Sequence, residues 1–214
     1  ETIDFTMKRQ MIEVPTIEHE MLENQVGYIM ITEFDGVTDE QFQTALTELQ
    51  NQGMKKLVID LRNNGGGSVE SVCNIADELL PEGAIVYTEY KGKEREARNS
   101  EADCINIPMS VIINGASASA SEILSGALQD YGVATIVGTQ SYGKGIVQSI
   151  LDLQDGTALK LTTAKYYTPN GNDIHGVGIT PDVEIDLPEE LKTEVTLSFE
   201  EDVQLQKAIE VLQQ

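Results

Sequence analysis

Tryptophan is absent from this chain, and cysteine and histidine occur only twice each in 214 residues. Cys73 and Cys104 are too few for a disulfide scaffold, and their spacing matches no zinc motif. His19 and His175 are too few for a histidine-based metal site, so neither a metal nor a cofactor is expected. Long apolar runs are also missing. Stretches such as 57–59 and 110–113 fall far short of the roughly 20 residues that a membrane-spanning helix needs. No signal-peptide pattern is present. The first residue is Glu1, which reads as a piece of a longer polypeptide, with any export signal or anchor upstream. Basic residues are scarce: 14 Lys and Arg stand against 36 Asp and Glu, a formal charge of −22. Such a surface repels phosphate backbones and argues against nucleic acid as a partner. Its simplest reading is solubility.

The 40 % of hydrophobic residues suits one globular core. An extended stub is expected over 1–9 and a short strand over 12–14. Core strands are expected over 26–34, 57–61, 109–113 and 135–137. Hairpins are expected over 84–98 and 146–166, the second turning at Asp155-Gly156. Helices are expected over 39–52, 68–80, 119–131 and 200–212. Capping boxes are read at Thr38/Gln41 for the first helix and at Ser198/Glu201 for the last. Strands alternating with helices of this length imply an α/β fold. In such sheets the chemistry gathers where strands end and helices begin.

Three segments sit at such places. Asn114 to Glu122, reading NGASASASE, joins a buried strand to a helix. A serine there meets the open N–H groups and the positive dipole end of the helix, where a nucleophile and its oxyanion would be stabilised. Residue chemistry alone does not choose among Ser117, Ser119 and Ser121, and simple helix capping is the plain alternative. Arg62-Asn63-Asn64-Gly65-Gly66-Gly67 places three glycines after a strand. They could form a nest of N–H groups or half of an oxyanion hole, or only a tight turn. The segment fits no phosphate-loop pattern. Gly143-Lys144-Gly145 sets a lysine between glycines, although an ordinary surface lysine is the default. His19 precedes the first expected core strand and His175 lies in a loop, so no Ser-His-Asp set is evident. A serine nucleophile here needs another base, and lysine is the known variant.

Together these segments resemble the C-terminal-processing, or tail-specific, serine peptidases. Arg62–Gly67 is similar to the Arg-x-Asn-Pro-Gly-Gly loop of that family, with Gly65 in place of proline. Asn114–Ile123 resembles its nucleophile segment, and Gly143-Lys144-Gly145 with Gln148 its base segment. Gly176-Val177-Gly178-Ile179-Thr180-Pro181-Asp182 resembles its Gly-x-x-Pro-Asp loop, and Gly27-Tyr28-Ile29 its opening strand. The similarity spans roughly residues 10 to 187. In the family the lysine follows the serine by 25 positions, and Lys144 stands 25 after Ser119.

The resemblance implies a crotonase-like core of mixed β-sheet and helices, with small extended and helical appendages at its ends. It divides the chain into 1–14 (the exit of a PDZ domain and a linker), 15–190 (the peptidase core) and 191–214 (a helical segment). It implies Ser119 as nucleophile, Lys144 as base, Gln148 as the side chain orienting the amine, and the N–H groups of Gly66 and Ala120 as oxyanion donors, with Gly67 close behind Gly66. Lys144 must be neutral to accept a proton, which requires local desolvation and carboxylates kept away. Four residues of regular strand span about 13 Å, so Gln148 reaches Lys144 only if that stretch turns. The substrates implied are the C-terminal tails of proteins or peptides, delivered by an upstream PDZ domain, and the location implied is extracytoplasmic, in the bacterial envelope, with a possible anchor. The rival readings are an acyl-CoA enzyme on the same architecture and a relative that binds ligands without cutting.

Overall fold

The computed structural model describes residues 3, 5, 7–9, 14–101, 103–192, 194 and 197–213. Residues 12 and 13 of the strand expected over 12–14, and much of the stub expected over 1–9, lie outside the described residues, and Val14 is exposed with no regular secondary structure. The chain runs through β1 (Ile17–Leu22), β2 (Val26–Ile31), α1 (Thr38–Asn51), β3 (Lys56–Asp60), α2 (Val69–Asp77), β4 (Gly83–Tyr90) and β5 (Glu96–Ser100). It continues through β6 (Met109–Ile113), α3 (Ala120–Asp130), β7 (Ala134–Gly138), β8 (Ile146–Asp152), β9 (Ala158–Tyr167), β10 (Val183–Glu184) and α4 (Val203–Val211).

The main sheet has the order β1-β2-β3-β6-β7-β10. Only β1 is antiparallel to its neighbour; the remaining pairs are parallel. Parallel strands are normally covered on both faces, and their side chains read as near-continuous apolar runs. Here alternate residues of each strand divide between two cores. Leu57, Ile59, Val111, Ile113 and Ile136 enter a large core with Phe42 and Leu49 of α1, Val72 and Ile75 of α2, and Leu124 and Leu128 of α3. Val26, Val58, Ile112 and Val137 face the other way and pack on Leu205, Ala208 and Leu212. The helix read from sequence as a terminal appendage thus closes the second face of the sheet. Ser110 fixes it further by donating from its hydroxyl to the Ala208 carbonyl at 2.8 Å.

A second, antiparallel sheet has the order β5-β4-β9-β8. It stands beside the helical layer, and β8 forms its outer edge. The hairpin of β8 and β9 extends past β4, leaving Leu151, Leu153, Leu159 and Leu161 each about half exposed.

Three local readings change. β1, which the sequence reading does not anticipate, contains His19, whose Nε2 lies 3.0 Å from Glu48 Oε2. The expected Thr38/Gln41 box does not form at α1, because Gln41 Oε1 accepts the Thr16 N–H instead. At α4 the cap is Asp202, whose carboxylate accepts the Leu205 N–H, and the Ser198/Glu201 pair closes the turn before it.

Candidate active site

Ser119 is the residue before α3, with φ 58° and ψ −110°. A non-glycine residue at positive φ stores strain and is held there only by its surroundings. Those surroundings separate the three serines left open above. Ser117 is fully buried; its hydroxyl donates to the Leu61 carbonyl at 2.8 Å and accepts the Asn114 N–H at 2.9 Å. Ser121 is fully buried and donates to the Asn64 carbonyl at 2.9 Å. Ser119 alone is half-buried and reaches the surface.

The Arg62–Gly67 loop lies against this turn. Asn64 is fully buried and fastens three elements. Its Nδ2 donates to the Ile31 carbonyl of β2, and its carbonyl accepts the Ala118 N–H and the Ser121 hydroxyl. Gly66, at φ 98°, approaches so closely that a Cβ there would sit 2.7 Å from Ser119 Cβ and 2.9 Å from Ala120 N. The two sequence-expected oxyanion residues are therefore neighbours in space. Their N–H groups differ, however. That of Gly66 donates to Asn64 Oδ1 at 2.8 Å. Those of Gly67 and Ala120 have no acceptor among the described residues. The loop thus presents its open N–H at Gly67, one position beyond the residue expected first.

Glu122 organises the rest. It is fully buried in the first turn of α3, where the dipole favours an anion. Its Oε2 accepts the N–H of Ser119 and the N–H of Lys144, both at 2.8 Å. Its Oε1 accepts the Gly143 N–H at 2.6 Å and the Ser141 hydroxyl at 2.5 Å. Four donors around one carboxylate stabilise its buried charge. They also bring the lysine segment to the serine turn, although the two are far apart in sequence.

Lys144 is half-buried. The flanking glycines answer to close packing: a Cβ on Gly145 would meet His175 N at 2.5 Å, because the 174–178 loop lies directly on this segment. Gln148 is exposed on β8, just past a register irregularity between Val147 and Gln148. No hydrogen bond joins it to Lys144 among the described residues. The stretch between them is extended from Ile146 onward, where β8 starts.

Residues 25–185 match the description Peptidase family S41. The chain belongs to that family. A carboxy-terminal-processing protease of Bartonella bacilliformis is 40 % identical over 210 residues, covering 93 % of this chain and 48 % of its own length. A carboxyl-terminal-processing protease of Synechocystis is 39 % identical over 215 residues, covering 98 % and 50 %. The chain therefore spans about half the length of these curated relatives. A photosystem II D1 C-terminal processing protease superposes with a TM-score of 0.75 at 34 % identity, over 84 % of this chain and 51 % of that one. A putative S41 protease from Bacteroides fragilis shares the fold at 19 % identity, with a TM-score of 0.77.

Within this S41 core the sequence reading overlooks two supporting residues. Glu122 carries a signal, since Ser119-x-x-Glu122 is a capping-box spacing at the start of an apolar run. Asn64 stands at the asparagine of the Arg-x-Asn-Pro-Gly-Gly pattern, but its fastening role carries no signal, because its partners Ile31, Ala118 and Ser121 are remote along the chain. His19 pairs with Glu48, and His175 is exposed in the 174–178 loop, whose backbone packs against Gly145.

Proposed function

We propose that this chain is the catalytic core of a serine peptidase that cuts protein substrates near their C-termini, with Ser119 as nucleophile and Lys144 as base. The observation that carries the reading is the shared carboxylate: the backbones of Ser119 and Lys144 converge on Glu122 beside the open N–H of Ala120. In the proposed reaction Ser119 Oγ attacks the scissile carbonyl while the neutral Lys144 amine takes its proton. The oxyanion is received by the N–H groups of Ala120 and Gly67. Lys144 then returns the proton to the departing amine, and water hydrolyses the acyl-enzyme. Gln148 would act in this scheme only after moving toward Lys144. The outer edge of β8, two residues beyond Lys144, offers an extended substrate a strand to pair with.

The names of the relatives support tails as the substrate class. An upstream PDZ domain followed by a linker through residue 14, a core over 15–190 and a helical segment over 191–214 complete the proposal, together with an extracytoplasmic location in a bacterium. No helix among the described residues is long and apolar enough to cross a membrane. The test is cleavage of a peptide with an apolar C-terminus, with the products identified by mass. Ser119→Ala should keep the melting temperature and lower turnover by about 1,000-fold or more. Undiminished cleavage by that variant would reject the assignment.

A further inference from the structure

Arg62 opens the loop that reaches Ser119, yet its guanidinium is held from a helix outside the family-matched stretch. Nη1 donates to Asp202 Oδ1 at 2.9 Å and Nη2 to Asp202 Oδ2 at 2.7 Å, a two-pronged fork. Nη1 also reaches Gln204 Oε1 at 3.2 Å. On its other edge the guanidinium meets Asp60, with Nε 3.0 Å from Oδ1 and Nη2 2.5 Å from Oδ2. The side chains of Arg62, Asp60 and Asp202 are 12 %, 2 % and 7 % exposed.

One cation thus faces two buried carboxylates. Asp60 alone would balance the charge, and burying a second carboxylate carries a desolvation penalty. Asp202 therefore adds something other than neutrality. Asp60 stands two residues before Arg62, and its hold is local: it also accepts the Arg62 N–H at 2.9 Å. Asp202 and Gln204 belong to a separate element. Asp202 caps α4 by accepting the Leu205 N–H at 2.9 Å, and Gln204 donates to the Ile185 carbonyl at 2.8 Å. α4 in turn is packed on Val58, Ile112 and Val137 of the sheet. Beyond Arg62 the loop continues through Asn63, at φ 60° with its N–H on Asn114 Oδ1, to Asn64 and to Gly66 against Ser119.

We infer that Asp202 is a positioning residue: α4 holds the Arg62 guanidinium and through it keeps the Asn63–Gly67 backbone in register with Ser119. This rests on the proposed peptidase chemistry, and it makes the C-terminal helix part of the active-site scaffold rather than a terminal ornament. Asp202→Asn is the variant to make in this chain. It preserves volume, can still cap α4, and leaves Arg62 balanced by Asp60.

Its kcat should fall about tenfold or more, with KM within about twofold of the parent. The Asn63, Asn64 and Gly66 amides, each hydrogen-bonded in the parent, should exchange with deuterium about tenfold faster or more. Leu46→Ala is the control: it opens a cavity under α1 in the other core and leaves α4 and the ion pair untouched, so it should lower the melting temperature and leave kcat within about twofold. Loop amides exchanging at the parental rate in Asp202→Asn would overturn the inference. So would a Leu46→Ala variant that reproduces the loss of kcat. The exchange measurement needs no turnover, so it decides the matter even if the parent cleaves no peptide, an outcome that would instead defeat the peptidase reading.

Discussion

The backbone N–H groups of Ser119 and Lys144 converge on one oxygen, Oε2 of Glu122, each at 2.8 Å. The proposed nucleophile and the proposed base are thereby registered through main chain, independently of how either side chain moves. The other oxygen holds Gly143 and Ser141. A glutamine has one accepting oxygen where the carboxylate has two, so its amide would confront N–H donors. Glu122→Gln should therefore lose about 2 to 4 kcal/mol of stability, the penalty of leaving buried donors unpaired. It should also lose about 100-fold or more in kcat, because both segments shift. Urea denaturation and steady-state kinetics on the same preparation check both parts.

The contact of Gly66 with the serine turn makes a paired prediction. A Cβ at Gly66 would lie 2.6 Å from the Ala118 carbonyl oxygen, and φ there is 98°. At Gly65 a Cβ meets nothing within 4 Å, and φ is not in the left-handed region. Gly66→Ala should cost about 2 kcal/mol or more and most of the activity. Gly65→Ala should be stable within about 0.5 kcal/mol and stay active. Equal behaviour of the two in thermal melts and turnover would count against the described loop.

The alkaline limb of stability follows from buried thiol and phenol groups. Burial pushes the Cys73 thiol up from 9.0 to about 11, partly opposed by Arg98, and the Tyr166 phenol up from 10.0 to about 12. Between pH 9 and 11 the unfolded chain gives up the Cys73 proton while the folded chain retains it. The unfolded state then binds fewer protons, so stability falls as pH rises through this window and is unaffected by these groups below it. The urea midpoint should decline steadily from about pH 8.5 to 11, and Cys73→Ala should flatten the earlier part of that decline. A midpoint that stays level over this range would contradict the burial. Both cysteines are free. At pH 8 the half-buried Cys104 should react with iodoacetamide while buried Cys73 stays protected in the native state.

The three serines of the turn should divide by role. Ser117→Ala and Ser121→Ala each remove a buried hydroxyl bond to a carbonyl of the neighbouring strand end or loop. Each should destabilise by about 1 to 3 kcal/mol and still turn over substrate below its melting point. Ser119→Ala should do the reverse. Melting curves and peptide cleavage across the three variants check the division.

The parallel strands were legible because they are short, β-branched and apolar between turn residues, and the helices because their stripes repeat at helical spacing. β1 escapes because in IEHEML only Ile17 is buried, so its alternation barely shows. α4 was readable as a helix, but an apolar stripe does not say which face of a sheet it will cover; Val58, Ile112 and Val137 decide that. In the site, serine chemistry could not separate Ser119 from its neighbours, whereas burial and long-range bonds to Leu61 and Asn64 could. The sequence does not show that the Gly66 N–H has a local acceptor: Asn64 folds back to accept it across two residues. Gln148 is implied by the resemblance, and its distance from the Lys144 amine depends on the backbone between them, which enters β8 at Ile146.

The central claim is that Ser119 is the nucleophile and depends on Lys144. A fluorophosphonate that traps activated serines, followed by peptide mapping, tests it directly. The account predicts one adduct per chain, on Ser119, that forms in the parent and is lost in Lys144→Ala while that variant remains folded. An adduct on any other residue, or one that forms equally fast without the lysine, would contradict it.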